Sequence, residues 1–434
     1  MLISQLSAMS PLPRVCVIGA GPSGLTTGKN LLQAGIDQFV IYEKGTEVGG
    51  NWVYSQQPGH SSIYRSTHTI SSKTLSQFED YPFPASYPAY PSHARIAAYF
   101  RDYARHFGVV EHVAFNCEVL RVSRQEPKGW RVDLAGGKSE WFDALFVCNG
   151  HHWYPRMPVW PGSFQGRMLH SHDYKTPDAF QDQRVLVVGA GNSGCDIAVE
   201  LAGVAREVAV SLRRGYHFIP KFILGIPSDV VLSWFWWIPR PLLQRVAAWI
   251  VARFNPQPAG LPRPDHAIFE THPIINSRFA AAVRENRIRV VRDIAAFDGD
   301  AVRFTDQSSE PFDAVVCCTG YEARFPFFGP ELEHLAAPDA PLCLRMQSPL
   351  YDDLFFIGLF QPSGCIWPLA DLQARLAAKY LTGRGGLPDC PEQVAIEERE
   401  ENARRFVDSP RHRIEVDYHR FRKELLRRLA RCAS

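Results

Sequence analysis

Seven short apolar runs, rich in β-branched and aromatic residues, are spaced along the chain: RVCVI from Arg14, QFVIYE from Gln38, DALFVCNG from Asp143, RVLVV from Arg184, EVAVS from Glu207, DAVVCCTG from Asp313 and LFFIGL from Leu354. Each is bounded by small or polar residues, the pattern of buried strands. Longer segments repeat their apolar positions at helical spacing: LTTGKNLLQA closed by Gly35, CDIAVELAG after Gly194, and Ser92 to Phe107. In the last, Ser92 is the expected cap, and Ile96, Tyr99, Phe100 and Tyr103 share one face. Strands alternating with helices predict an α/β fold with parallel sheets.

The first strand runs into G-x-G-x-x-G at Gly19, Gly21 and Gly24, with Pro22 and Ser23 opening the following helix. Glycines allow a tight turn there, and the helix N-terminus offers backbone N–H groups to a pyrophosphate. The next strand ends at Glu43, followed by Lys44, where a carboxylate can accept hydrogen bonds from the two hydroxyls of an adenine ribose. An acid at this position points to an unphosphorylated ribose, hence FAD or NAD. Gly49-Gly50 then precede Asn51-Trp52; glycines permit close backbone approach, and the indole can wall a ring system.

The second loop reads RVLVVGAGNSG, with Gly189, Gly191 and Gly194 around Asn192 and Ser193. Here the following strand ends in LRRG, and Arg213 and Arg214 stand where Glu43 stood. Two guanidiniums suit a ribose 2′-phosphate, so this site reads as NADP(H)-selective. The runs ending at Gly150 and Gly320 are the expected closing strands of the two units, Thr319 lying in the polar tail of the second. The organisation expected is two Rossmann-like dinucleotide-binding domains, the NADP domain inserted into the FAD domain: 1–157 plus 330–434 for FAD, and 158–329 for NADP.

Net charge is +2 and apolar residues make up 46% of the 434-residue chain, without the basic excess that nucleic acid binding needs. The ten cysteines include no C-x-x-C pair, which argues against a metal site or a disulfide reductase and suits a reducing, cytoplasmic setting. MLISQLSAMSPLPRV lacks the pattern of a signal peptide. Residues 229–254 carry Trp234, Trp236, Trp237 and Trp249, but Pro239, Arg240, Pro241 and Arg245 interrupt them. They read as a buried helical lid, with an interfacial membrane or substrate-access surface as the alternative.

With these residues in place, the chain resembles the flavin-containing monooxygenases from about Arg14 to the C-terminal helices. Phe164-Gln-Gly166-Arg-Met-Leu-His170-Ser-His-Asp-Tyr174 matches the family pattern F-x-G-x-x-x-H-x-x-x-(Y/F). CNGHHWYPRMP, GNSGCDIA, CTGY and RHRIEVDY match further. The related Baeyer–Villiger enzymes would end the pattern with Trp and then Pro or Asp, whereas this chain has Tyr174-Lys175. The resemblance implies FAD and NADPH as cofactors, O2 and a small molecule as substrates, and transfer of one oxygen from a flavin hydroperoxide to a nitrogen or sulfur nucleophile. It also implies that the fingerprint is an interdomain hinge that positions cofactor. Membrane contact is the less favoured partner reading, and a homodimer stays open.

One stretch departs from the family. Where Y-x-x-x-x-T-N-x-x-K is usual, this chain keeps Tyr64, Thr69 and Lys73 but has Ile70 in place of the Asn. The family amide lies against the reactive edge of the flavin. Ile70 can donate nothing, so the task falls to Thr69, Ser71 or Ser72, to backbone N–H, or is absent; Thr69 and Ser71 are the candidates taken as catalytic. Ketone oxygenation, uncoupled NADPH oxidation and a non-catalytic nucleotide-binding role are the competing readings.

Overall fold

The computed structural model describes residues 12–432 other than 58, 259, 336–339, 386, 389, 390, 408 and 409. The N-terminal stretch examined for a leader therefore lies, as far as Pro11, outside the described residues. All seven apolar runs form strands, in two separate five-stranded parallel sheets. The first sheet runs in the order Leu354–Phe356, Ala144–Val147, Val15–Ile18, Phe39–Tyr42, Val113–Ala114. The second runs Arg289–Val291, Glu207–Ser211, Arg184–Val188, Ala314–Cys317, Arg167–His170. Their central strands are buried on both faces, as near-continuous Val/Ile/Leu runs require.

The two units are built alike. The backbone N–H of Arg14 donates to the Asp143 carboxylate and that of Arg184 to the Asp313 carboxylate, each at 2.7 Å and each across 129 residues. Each unit also inserts a three-stranded antiparallel sheet before its closing strand: Val119–Arg124, Trp130–Leu134 and Ser139–Phe142 in the first, Ile294–Asp298, Ala301–Phe304 and Ser309–Pro311 in the second. The chain crosses between the sheets twice, and the crossings run together where Tyr154–Pro155 pairs antiparallel with Tyr321–Glu322. Phe325 and Phe327 then join the core of the first unit beside Phe356.

The helix Trp367–Leu381 returns to pack on the helix Pro22–Gln33. Between them Lys29 is almost fully buried, its ammonium 2.7 Å from Asp371 and 2.7 Å from Asp80. The Asp371 carboxylate also accepts from the Thr26 hydroxyl and from Asn30 Nδ2 at 2.8 Å.

Two expectations are corrected. Ser92 occupies the N-cap position of the helix His93–His106, but its side chain makes no capping hydrogen bond; the helix is fixed instead by Ile96, Tyr99, Phe100 and Tyr103, all buried. The Trp-rich segment is helical at Ser228–Ser233 and Arg240–Phe254 but is not buried. Trp234, Trp237 and Trp249 are 54%, 70% and 67% exposed, because the longer helix spends its inner stripe on Ala247, Ile250 and Val251. No helix among the described residues is long and apolar enough to cross a membrane.

Candidate active site

Both glycine loops close too tightly for any other residue. A Cβ at Gly24 would lie 1.8 Å from the Gly19 carbonyl oxygen, and one at Gly194 would lie 2.0 Å from that of Gly189. Each helix that follows has no acidic side chain in its first turn to compete with an anion for the backbone N–H groups. Gly50, at φ +55°, lies against the first loop, where a Cβ would come within 2.9 Å of Gly21 Cα.

The strand ends carry opposite charges. Glu43 is buried beneath the first loop, its carboxylate accepting from Ala20 N–H at 2.8 Å and Gly45 N–H at 2.7 Å. That arrangement fixes the carboxylate and leaves lone pairs on both oxygens for hydroxyl donors. Past the second loop, Arg213 is exposed and Arg214 half-buried, its guanidinium 5.9 Å from the Tyr216 ring. An FAD adenosine fits the first arrangement and a phosphorylated ribose the second.

The other expected site residues divide. Trp52 packs edge-on against Trp367 at 5.4 Å. Asn51 holds the chain, its Oδ1 accepting from Ser62 N–H and Oγ at 2.8 and 2.7 Å. Lys44 sits 4.0 Å over the Trp153 ring, and the Thr319 hydroxyl donates to the Arg156 carbonyl at 2.6 Å. Asn192 spends its amide on residues 273–275, donating to Pro273 and accepting from Ile275, so only its backbone remains for phosphate. Ser23 packs against Gly358, where a Cβ would meet its hydroxyl at 2.3 Å. Gly358 was not singled out from sequence, although the glycine closing the run LFFIG was the available signal.

The stretch 69–73 presents an uneven set of hydroxyls. Thr69 is buried and its hydroxyl has no partner, whereas the buried Ser72 hydroxyl faces the Asp229 carboxylate. Ser71 instead pairs with Ser76 Oγ at 2.8 Å, so its hydroxyl is committed within the segment. Ile70 is half-buried. Lys73 donates to the carbonyls of Ala85 and Tyr87 at 2.9 and 2.6 Å, which makes it a structural tie.

The fingerprint segment joins the units. Lys175 Nζ donates to the carbonyls of Ser61, Ile63 and His172, and the buried Tyr174 hydroxyl donates to Glu200 at 2.9 Å. Burial, then His172, pushes the His170 imidazole down to about 4, so it is neutral at physiological pH. Its Nδ1 accepts from His172 N–H at 3.1 Å. Tyr64 reaches across to the second unit, its hydroxyl 3.3 Å from Asp196. No signal in the sequence pointed to that contact, since it depends on how the units meet.

The family model for flavin-binding monooxygenase-like proteins matches residues 13–432. The chain belongs to the flavin-binding monooxygenase-like family. Flavin-containing monooxygenase 5 of Cavia porcellus is 34% identical over 439 residues, covering 93% of this chain and 80% of that protein. The structure of S-allyl-L-cysteine S-oxygenase from Allium sativum is similar with a TM-score of 0.73 at 25% identity, covering 97% of this chain and 90% of the other. Closed cyclohexanone monooxygenase matches with a TM-score of 0.73 over 96% of this chain and 97% of its own, but at 16% identity, and this likeness concerns the fold alone. This flavin-binding monooxygenase uses FAD and NADPH. It is an NADPH-dependent flavoprotein monooxygenase acting on small substrates with O2, of the kind that oxygenates soft nucleophiles. Among its described residues no cluster of three or more His, Cys, Asp or Glu could hold a metal.

Proposed function

We propose that the first glycine loop holds FAD, the second holds NADP(H), and one oxygen atom of O2 is delivered to a nitrogen or sulfur centre of a small organic molecule. The observation that carries this reading is the contrast at the two strand ends, a buried, oriented Glu43 carboxylate against the paired Arg213 and Arg214. FAD, when bound, supplies the hydride acceptor and the centre of O2 activation. The chain contributes the anion-binding helix ends, the Glu43 carboxylate for ribose, Trp52 beside the ring site, and Thr69 as hydroxyl donor on the wall that Ile70 leaves without an amide. Tyr174-Lys175 supports heteroatom over ketone oxygenation. The divided domain plan, 1–157 and 330–434 around 158–329, remains the working organisation, and the packing of Phe325 and Phe327 favours a return crossing a few residues earlier.

Arg213→Ala/Arg214→Ala is expected to raise KM for NADPH at least about tenfold while leaving KM for NADH nearly unchanged, since only NADPH carries the extra phosphate. Steady-state kinetics with both nucleotides checks this, and equal effects on the two would assign the arginines elsewhere. Counting peroxide released per NADPH, across amines, sulfides and ketones, separates oxygenation from uncoupled oxidation.

A second reading concerns place. The chain is proposed to work in the cytoplasm, and the exposed tryptophans favour peripheral contact with a lipid surface. Residues 230–264 contain four arginines and no acidic residue, a composition suited to an anionic interface. The full chain should float with anionic phosphatidylserine vesicles, and Trp236→Ser/Trp237→Ser should reduce the floated fraction about tenfold. Absence of flotation by the unmodified chain would leave the tryptophans as a substrate-access surface.

A further inference from the structure

The wall segment 68–72 is gripped at both ends by side chains of the second unit. At its start, His68 Nε2 is hydrogen-bonded to Lys221 Nζ. At its end, the Ser72 N–H donates to the Asp229 carboxylate at 2.6 Å. Lys221 and Asp229 flank a small hairpin, Phe222–Ile223 with Ile226–Pro227. The hairpin is itself fixed: the Lys221 carbonyl accepts from Ser228 N–H at 3.0 Å and from the Tyr90 hydroxyl at 2.6 Å, and Lys221 N–H donates to Ser277 Oγ at 2.9 Å. Between the two grips lie Ile70 and the buried, unpartnered hydroxyl of Thr69. An orphaned buried hydroxyl costs stability unless a bound group completes it.

We propose that Lys221 is a positioning residue: acting through His68, and with Asp229 on Ser72, it sets segment 68–72 against the flavin only while the second unit is docked. The water-excluding wall of the pocket is then assembled from both units: the first holds the Thr69 N–H on the Pro91 carbonyl at 2.9 Å, and the second adds the side-chain grips at His68 and Ser72. This rests on the assignment of FAD to the first loop and of Thr69 and its neighbours to the flavin wall under the proposed function.

The His68 contact has a defined proton arrangement. His68 Nδ1 lies 3.2 Å from the Ser66 carbonyl, so Nδ1 carries the proton and Nε2 accepts from the Lys221 ammonium. The charged groups facing His68 are Lys221, Asp196 and Arg278. Asp196 is in turn held by Asn276 Nδ2 at 2.7 Å and by Tyr64. Burial, then Lys221, lowers the His68 pKa from its ordinary 6.5, with Asp196 opposing. A second proton on the ring would turn the acceptor into a cation facing an ammonium. The grip is therefore complete at and above neutral pH and is lost as pH falls through the folded-state pKa of His68, below 6.5.

The test uses the full-length, FAD-bound protein and the variants Lys221→Met, Lys221→Arg and His68→Gln. Hydrogen exchange of a peptide spanning residues 68–72 is measured in steps from about pH 8 down to about pH 4.5, corrected for intrinsic exchange. The unmodified protein should lose about tenfold in protection toward the low end, a loss typical for breaking a charge-assisted hydrogen bond. Lys221→Met should exchange fast at every pH, and Lys221→Arg should recover most of the protection. His68→Gln, whose amide oxygen accepts without titrating, should be protected throughout. Peroxide released per NADPH should follow the same order.

Equal protection in the unmodified protein and Lys221→Met, or protection independent of pH in the unmodified protein, would overturn the grip even where NADPH still bleaches the flavin. Loss of bleaching in the unmodified protein would instead overturn the cofactor assignment, and the exchange data would still decide the grip. Should Lys221→Met fail to fold, the contrast between His68→Gln and the unmodified protein at low pH carries the decision.

Discussion

Gly24→Ala is expected to give colourless protein, and Gly194→Ala yellow protein that NADPH no longer bleaches. The Cβ of the first variant would sit 1.8 Å from a backbone oxygen and that of the second 2.0 Å. In both, the loop itself must move, because neither neighbour is a flexible side-chain tip. A displacement that costs about 3 kcal/mol of binding lowers cofactor affinity about a hundredfold. The two variants change the same motif by the same atom, so general destabilisation would affect them alike. Flavin absorbance per mole of protein and the rate of anaerobic bleaching separate the effects. The opposite pattern, with colour lost in Gly194→Ala and retained in Gly24→Ala, would exchange the two cofactor assignments.

The largest stability effect is expected at Asp371. Its carboxylate faces the Lys29 ammonium at 2.7 Å, where the side chains are 10% and 2% exposed, and it also accepts from Thr26 and Asn30. Asp371→Ala leaves a buried cation whose remaining carboxylate, Asp80, is 37% exposed. Breaking a buried pair in this one-sided way costs about 3–5 kcal/mol. Adding Lys29→Met should recover a large part, since an apolar replacement removes the charge that lacks its partner. Urea unfolding at constant slope measures both. A midpoint for Asp371→Ala equal to that of the unmodified chain would mean that Asp80 alone satisfies Lys29.

The strands were legible because buried parallel strands must be apolar throughout, and seven runs of that kind stood out in the sequence. The cofactor loops were legible for a related reason: backbone closeness admits only glycine at Gly24 and Gly194. The antiparallel excursions were not foreseen. In Val119–Arg124 only Val119 and Val122 are buried, a spacing of three that lacks the alternation of a half-buried strand and does not stand out from loop. The Trp-rich segment was misjudged because apolar density was taken for burial, whereas the helix Arg240–Phe254 needs only a narrow inner stripe. At the site, the sequence nominated Thr69 and Ser71 as the residues beside the flavin. It could not reveal that Ser71 turns to Ser76, or that Lys221 and Asp229 reach back from the second unit. The first is a local turn that the pattern of polar residues does not encode; the other two depend on docking between distant segments, 153 residues apart for His68 to Lys221 and 157 for Ser72 to Asp229.

The return of the chain to its first sheet sets an order in time. During synthesis the strand Val15–Ile18 and the helix Pro22–Gln33 emerge early, yet the edge strand Leu354–Phe356 and the covering helix Trp367–Leu381 come more than three hundred residues later. Until then one face of the early helix, with Lys29 upon it, has no cover. The second sheet, drawn from residues 167–317, is complete while the first still waits. On the ribosome the inserted unit can fold as a unit of its own, while the unit that begins the chain finishes last. The early helix is the surface most in need of chaperone protection in the interval.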